Sequence, residues 1–359
     1  MDKEYTEQIK KIEAELNKWL PGFLGSGGLD SAKATSADSL WAQEEFPEAV
    51  KRITDESLRV LLTPGKDILS RGGKRWRPLL MTLVCESLGG GDAALPLTPL
   101  VEFSHNAALI HDDIEDESDE RRGKPAIHKI YGVDTAINSG SFLYFLSLSC
   151  IEFYKGENKA LYYKLWAECM RGLHLGQAMD ISWHRKVSFI PAVEEYFVMC
   201  GLKTGSLSRL AAEIGAYVAG ASEEVAQKFG DTAEKLGIGF QILDDVKNLT
   251  TGIPGKKRGD DLVEGKKSLP ILLYLTRYPE RREQVYYCFH TAKINGPAAP
   301  EVEELINNLT NVGVIKESEE NAYSLLEEAR NLFSSLEATS SAMNKRGRIL
   351  LNGLIDAIR

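Results

Sequence analysis

The chain has 359 residues, 43% hydrophobic and 26% charged, with a formal charge of -9 at pH 7. That balance is of a soluble globular protein of one large or two smaller domains, and the net acidity argues against a general nucleic-acid surface. Apolar stretches such as Ser141 to Cys150 fall short of a membrane span, and the charged start MDKEYTEQIKK is not a signal peptide, so cytoplasm is the expected compartment.

Tyr5, Ile9, Ile12, Leu16, Trp19 and Leu20 recur at helical spacing and predict an amphipathic helix over 2–20, which ends before Pro21. Residues 21–39 are rich in Gly, Ser and Ala without periodicity and read as a loop or mobile arm. We therefore expect an N-terminal helix and flexible arm over 1–45 and an all-α domain over 46–359. Helices are predicted near 53–69, 77–89, 95–118, 133–154, 158–182, 192–219, 222–249, 267–277, 301–311, 318–337 and 345–358, with a weak break at 292–301. No run of alternating strands with hairpin dipeptides interrupts them. Cys85, Cys150, Cys169, Cys200 and Cys288 form no CxxC pair and sit in apolar surroundings, so they read as core residues, neither a zinc site nor a disulfide frame.

The most informative stretch is EFSHNAALIHDDIEDESDERRGKPAIHKIYG, residues 102–132. Ala107 to Ile110 lead into Asp112, Asp113, Glu115 and Asp116 without a turn signal, so Asp112 and Asp116 share one face of a helix. Crowded carboxylates that lose hydration require protonation or a cation. Hard divalent ions favour such all-oxygen sites, and magnesium completes its octahedron with water and substrate phosphate. Arg121, Arg122 and Lys124 follow and suit phosphates. Most acidic runs are solvated helix ends, and taken alone this one is better read that way.

A second apolar helix, GIGFQILDDVKNL over 237–249, carries Asp244 and Asp245 at its polar end. Two such helices can set their carboxylates across one cavity mouth. Asn248 stands where a third Asp is expected, which leaves one charge fewer and weaker metal binding on this side. Two further basic stretches accompany the acidic ones. RGGKRWRP over 71–78 puts Lys74, Arg75 and Arg77 before a helix with Pro78 in its first turn, an anion-binding arrangement. GKKRGDDLVEGKKSLP over 255–270 supplies Lys256, Lys257, Arg258, Lys266 and Lys267.

GGKRWRP, HDDIED followed by RRGKP, GLHLGQAMD, KTGSL, FQILDDVKN and GKKRGDDLVEGKKSLP occur in the order that resembles trans-polyprenyl diphosphate synthases, the isoprenyl chain-elongating enzymes, over roughly residues 60–275. The resemblance implies a single all-α bundle of the isoprenoid synthase type around a central cavity, a homodimer, and Mg2+ as cofactor. It implies metal ligation by Asp112 and Asp116 with Asp113 in support, and by Asp244 with Asp245 in support. Lys74, Arg77, His105 and Arg122 then match the isopentenyl diphosphate pocket. Arg121, Lys203, Lys256 and Lys266 match the grip on an allylic diphosphate (dimethylallyl, geranyl or farnesyl). Thr204 and Gln241 match polar groups beside a developing cation.

In that chemistry the allylic C–O bond ionises, the isopentenyl double bond attacks the cation head to tail, and the departing diphosphate takes the released proton. Val101, Ser104 and Ala108, with Ala107 beside them, descend from Asp112 on roughly one helix face. In the family, bulky aromatics four or five residues before the first acidic motif stop elongation early. The small Ala107 and Ala108 therefore imply an all-trans product of at least twenty carbons, unless Phe142, Tyr144 or Phe145 closes the path.

Rival readings are weaker. A class I terpene cyclase needs a Ser and a Glu that DDVKNLTTG lacks, and it needs no isopentenyl pocket. A di-iron bundle needs two ExxH pairs, and only Glu102 and His105 form one. The histidines are too scattered for an HD-type phosphohydrolase. A catalytically silent partner subunit of a heteromeric synthase should have lost acidic ligands that this chain keeps.

Overall fold

The computed structural model describes residues 3–21, 41, 46–50, 52, 55–186, 188–252, 257–338 and 344–358. Almost all of the arm anticipated over 21–39, and Lys256, lie outside them. The described chain is helical apart from one antiparallel ribbon, Glu120–Arg121 paired with Lys124–Pro125. No helix among the described residues is long and apolar enough to cross a membrane. By contact the chain divides into two compact units, residues 1–166, 211–226 and 340–354, and residues 167–210, 227–339 and 355–359.

The first unit is built around helix Trp76–Ser87, in which every residue is buried. A helix buried on every side must sit inside others: Lys3–Trp19 and Thr98–Glu115 pack against it, and Ser206–Val218 comes so close that a Cβ on Gly215 would strike the Met81 carbonyl. The N-terminal helix belongs to this core, with Ile12, Leu16 and Trp19 buried and the Tyr5 hydroxyl donating to the Leu350 carbonyl. Pro99 opens helix Thr98–Glu115, where a missing N–H costs nothing, and the helix packs along Val133–Glu152.

The second unit holds most of Lys159–Arg185 and of Glu223–Thr250, with Val193–Cys200, Leu269–Arg277, Arg282–Asn295, Pro300–Asn311 and Val314–Ala338. Phe229 and Phe333 meet in its core with ring centroids 5.6 Å apart. Two features depart from expectation. Residues 282–295 form a helix that the sequence reading left unassigned. The helix anticipated over 192–219 is broken into Val193–Cys200 and Ser206–Val218 by a π-helical turn, Gly201–Gly205. A π turn inserts one extra residue per turn and re-aims the side chains it carries, here Lys203 and Thr204.

That turn is pressed against helix Glu223–Thr250, where a Cβ on Gly237 would lie 2.7 Å from the Gly205 Cα. Gly237→Ala should therefore lower stability by about 1–3 kcal/mol, overriding the helix-propensity gain of about 1 kcal/mol. Gly172→Ala, whose Cβ would meet only Leu202 Cδ2 at 3.5 Å, should be neutral or stabilising. Paired denaturant or thermal unfolding curves check this; equal midpoints for the two variants would contradict it.

Candidate active site

In the first unit Asp112 and Asp116 stand on one face of the last turn of Thr98–Glu115, both half-buried. Asp113 points the other way and is fully buried, where it accepts a hydrogen bond from Arg121 Nε at 2.8 Å and another from Arg121 Nη2. The same Nη2 lies 3.4 Å from Asp112 Oδ2. Burial pulls the Arg121 guanidinium down, but Asp113, Asp112 and Asp116 outweigh it and hold the group above its ordinary value. Arg121 is thus committed to the acidic cluster, and a diphosphate would share it.

Arg121 reaches this place through the ribbon, whose tight turn puts Arg122 at φ 55° and Gly123 at φ 73°, the left-handed pair of a type I′ hairpin. A left-handed non-glycine residue costs about 1–3 kcal/mol. Arg122 Nη1 offsets this by donating to the Ile68 carbonyl at 2.9 Å and to Asn106 Oδ1 at 3.3 Å. Arg71 clamps the ribbon, donating to the Pro125 carbonyl at 2.8 Å and the Arg121 carbonyl at 3.2 Å while its Nε holds Asp67 at 2.9 Å.

The isopentenyl-side residues gather around His105. Burial, followed by Arg77, Arg122, Arg75 and Arg121, holds the imidazole well below its ordinary pKa, so it is neutral at pH 7. Arg122 is itself lowered to about 10, first by burial, with Glu102 opposing and Arg75 and Arg121 adding to the fall. Arg77 is buried with its guanidinium 4.4 Å from the centre of the Trp76 ring, and Lys74 is exposed. Arg75 is not the phosphate ligand that the basic stretch suggested. It is buried in a left-handed conformation and donates to Glu102 Oε1 at 2.7 Å and to the Leu69 carbonyl at 2.6 Å. Glu102, also buried, accepts from Asn106 Nδ2 at 2.8 Å, which turns the Asn106 oxygen toward Arg122.

The second unit brings together Lys203, Thr204, Gln241, Asp244, Asp245 and Lys266. Lys203 Nζ donates to Asp180 Oδ2 at 2.6 Å. Burial pushes the Asp180 carboxyl up, but Lys203 and Lys266 prevail and hold it below its usual value. Lys266 also pairs with Glu264 at 2.7 Å. Thr204 Oγ1 donates to Gln241 Oε1 at 2.8 Å, and Gln241 Nε2 donates to Asp245 Oδ1 at 2.9 Å. Tyr196 completes the chain by donating its hydroxyl to Asp245 Oδ2 at 2.7 Å. Asp245 is buried and its carboxyl is raised above the usual carboxylate range, first by that burial and then by Asp261, while the Tyr196 and Gln241 hydrogen bonds pull it down. Asp244, one residue earlier, is half-buried.

Asn248, weighed as a metal ligand through its amide oxygen, has that oxygen engaged otherwise. Oδ1 accepts from the Asp261 N–H at 3.1 Å, and the Asn248 carbonyl accepts from the Gly259 N–H at 2.9 Å. Asn248 therefore pins the segment that carries Asp261 beside Asp245, so the acidic charge missing from the helix is supplied thirteen residues on. Arg258 and Lys267 serve the frame too, the first on Glu303 and the Leu249 carbonyl, the second on the Trp183 and Gly265 carbonyls. Sequence reasoning missed Asp180, Tyr196 and Asp261, although Asp180 and Asp261 fall inside the quoted motifs.

Among the described residues no three Asp, Glu, His or Cys side chains converge into a metal-holding group. The carboxylates present still fit magnesium, because that ion takes one or two carboxylates and fills its shell with water and substrate phosphate. Asp112 and Asp116 offer such a pair, and Asp244 a single carboxylate.

Comparison with known proteins agrees with this chemistry. The polyprenyl synthetase family profile matches residues 58–307. A geranylfarnesyl diphosphate synthase of Aeropyrum pernix is 32% identical over 304 residues, 81% of this chain and 92% of the relative. The crystal structure of a geranylgeranyl pyrophosphate synthetase from Pyrococcus horikoshii superposes with a TM-score of 0.77 at 26% identity, covering 99% of this chain and 96% of that one. A geranylgeranyl pyrophosphate synthase from Corynebacterium glutamicum, solved with isoprenyl diphosphate and magnesium, shares the fold with a TM-score of 0.78 at 22% identity, covering 97% and 98%. With residues 58–307 matched, the chain belongs to the polyprenyl synthetase family of chain-elongating prenyltransferases.

Proposed function

We propose that this enzyme condenses isopentenyl diphosphate with an allylic diphosphate, head to tail, and makes an all-trans product of twenty carbons or more. The observation that carries the reading is the split among three adjacent acidic groups: Asp113 is buried on Arg121, while Asp112 and Asp116 stay accessible on one face. Paired carboxylates kept accessible at the negative end of a helix dipole call for a cation.

Asp112 and Asp116 in the first unit, and Asp244 in the second, would each hold magnesium, which when bound would neutralise charge on a leaving diphosphate. In the second unit Lys203 and Lys266 hold the allylic diphosphate. As the C–O bond breaks, its electron pair goes to the diphosphate, and Thr204 and Gln241 face the positive carbon with oxygen lone pairs. Lys74, Arg77 and Arg122 bind isopentenyl diphosphate, with neutral His105 as a hydrogen-bonding neighbour. The isopentenyl double bond attacks the cation, and the released diphosphate takes the proton that restores the alkene.

Product length follows the helix face below Asp112. Ala107 is buried and small, and farther down the helix Trp166 Nε1 donates to Ser104 Oγ at 3.0 Å. Ser104 lies eight residues before Asp112, a rise of about 12 Å along the helix. Of the aromatics that could close the path earlier, Phe145 is exposed, Tyr144 stacks on His111 at 5.5 Å and Phe142 meets Trp41 at 5.0 Å. Relatives named as geranylgeranyl and geranylfarnesyl synthases support the same range. The exposed apolar residues Ile130, Val133, Ile137 and Phe145 fit a second copy of the chain, which supports a homodimer.

Asp112→Ala or Asp244→Ala should lower turnover by at least about 10²-fold with the helical circular dichroism unchanged; near wild-type rates in either would contradict the metal assignment. Mass analysis of products from farnesyl and isopentenyl diphosphates should show chains of twenty carbons or more. A reaction from geranyl diphosphate that stops at a single farnesyl product would contradict the open face.

A further inference from the structure

Gln241 is an amide, and an amide placed beside a cation helps or harms according to which end faces it. Its carbonyl oxygen stabilises positive charge, whereas its NH2 opposes it. The direction is fixed in this structure by a chain of hydrogen bonds running through the second unit. Both oxygens of Asp245 are occupied by donors, Oδ2 by the Tyr196 hydroxyl at 2.7 Å and Oδ1 by Gln241 Nε2 at 2.9 Å. The NH2 end of Gln241 is thereby drawn to Asp245, and Oε1 is left on the side of Thr204, whose hydroxyl hydrogen it accepts at 2.8 Å. With that hydrogen spent, Thr204 Oγ1 and Gln241 Oε1 form a pair of adjacent oxygens with lone pairs to spare.

Asp245 and Tyr196 are buried, whereas Gln241 is half-buried, so the anchor lies inside and the dipole it sets lies nearer the surface. Neighbouring Asp244 is half-buried, so the two adjacent acids have different surroundings. We propose that Asp245, held by Tyr196, is a positioning residue that sets the direction of the Gln241 amide dipole and is not a magnesium ligand. The proposal rests on the reading above, in which Gln241 and Thr204 face an allylic cation. Tyr196 gains from it a role that no motif in the sequence announces.

Asp245→Asn separates the alternatives, because the new side chain carries an NH2 that can donate to Gln241 Oε1 and release the amide from its fixed direction. At pH 8 this variant should lose about 10²-fold in kcat. The Mg2+ concentration for half-maximal rate and the KM for both diphosphates should stay within twofold of wild type. Tyr196→Phe, which keeps the Asp245–Gln241 bond, should lose less in kcat with the same unchanged Mg2+ dependence. Calorimetric titration of Mg2+ into protein with inorganic pyrophosphate gives a readout without turnover, and Asp245→Asn should match wild type there. A half-saturation point or calorimetric affinity for Mg2+ displaced tenfold or more makes Asp245 a ligand and overturns the proposal, as does an unchanged kcat. Failure of the functional reading is separately visible, since wild-type protein would then consume no isopentenyl diphosphate, and the proposal would fall with it.

Discussion

Negative charge at the negative end of a helix is the constraint around which the first unit is arranged. Helix Thr98–Glu115 closes on Asp112 and Asp113 with Asp116 as its cap, so several carboxylates crowd at the negative end of the helix dipole. The chain relieves part of this with its own cation, by delivering Arg121 to the buried Asp113. The delivery requires a tight hairpin, a left-handed Arg122 and an Arg71 clamp. Asp112 and Asp116 are left only half-buried on one face, which suits a divalent ion arriving with phosphate.

Each unit also fixes polar side chains with a buried carboxylate behind them. In the first, Glu102 holds Arg75 and the NH2 of Asn106, so that the Asn106 oxygen meets Arg122. In the second, Asp245 holds the NH2 of Gln241, and Asp180 holds Lys203. Such networks are costly when half-satisfied and rigid when complete. Rigidity of this kind is what electrostatic catalysis needs, since dipoles already aimed require no reorganisation when charge appears.

The helices could be read from the sequence because apolar residues recur along them at helical spacing, and the acidic and basic stretches because they interrupt that pattern. Helix Arg282–Asn295 was missed although Val285, Cys288, Phe289 and Ala292 are buried at helical spacing, because the exposed Tyr287 and Ile294 spread apolar side chains over its other faces. The π turn at Gly201–Gly205 left no local signal, because it is imposed by packing against Gly237. Side-chain roles set by distant partners were likewise illegible. Arg75 looked like a phosphate ligand until Glu102, 27 residues away, claimed it, and Tyr196 finds Asp245 across 49 residues. Asn248 looked like a weakened metal ligand, and instead ties down the segment that restores an acid at Asp261.

Magnesium and diphosphate should therefore bind at these carboxylates cooperatively, each tightening the other. Calorimetry of the wild-type protein tests it most directly, by titrating inorganic pyrophosphate with Mg2+ present and with Mg2+ chelated, and then titrating Mg2+ with and without pyrophosphate. The account predicts that each ligand tightens the other at least tenfold, by the same factor in both directions. Pyrophosphate binding that is equally tight without the ion would contradict it.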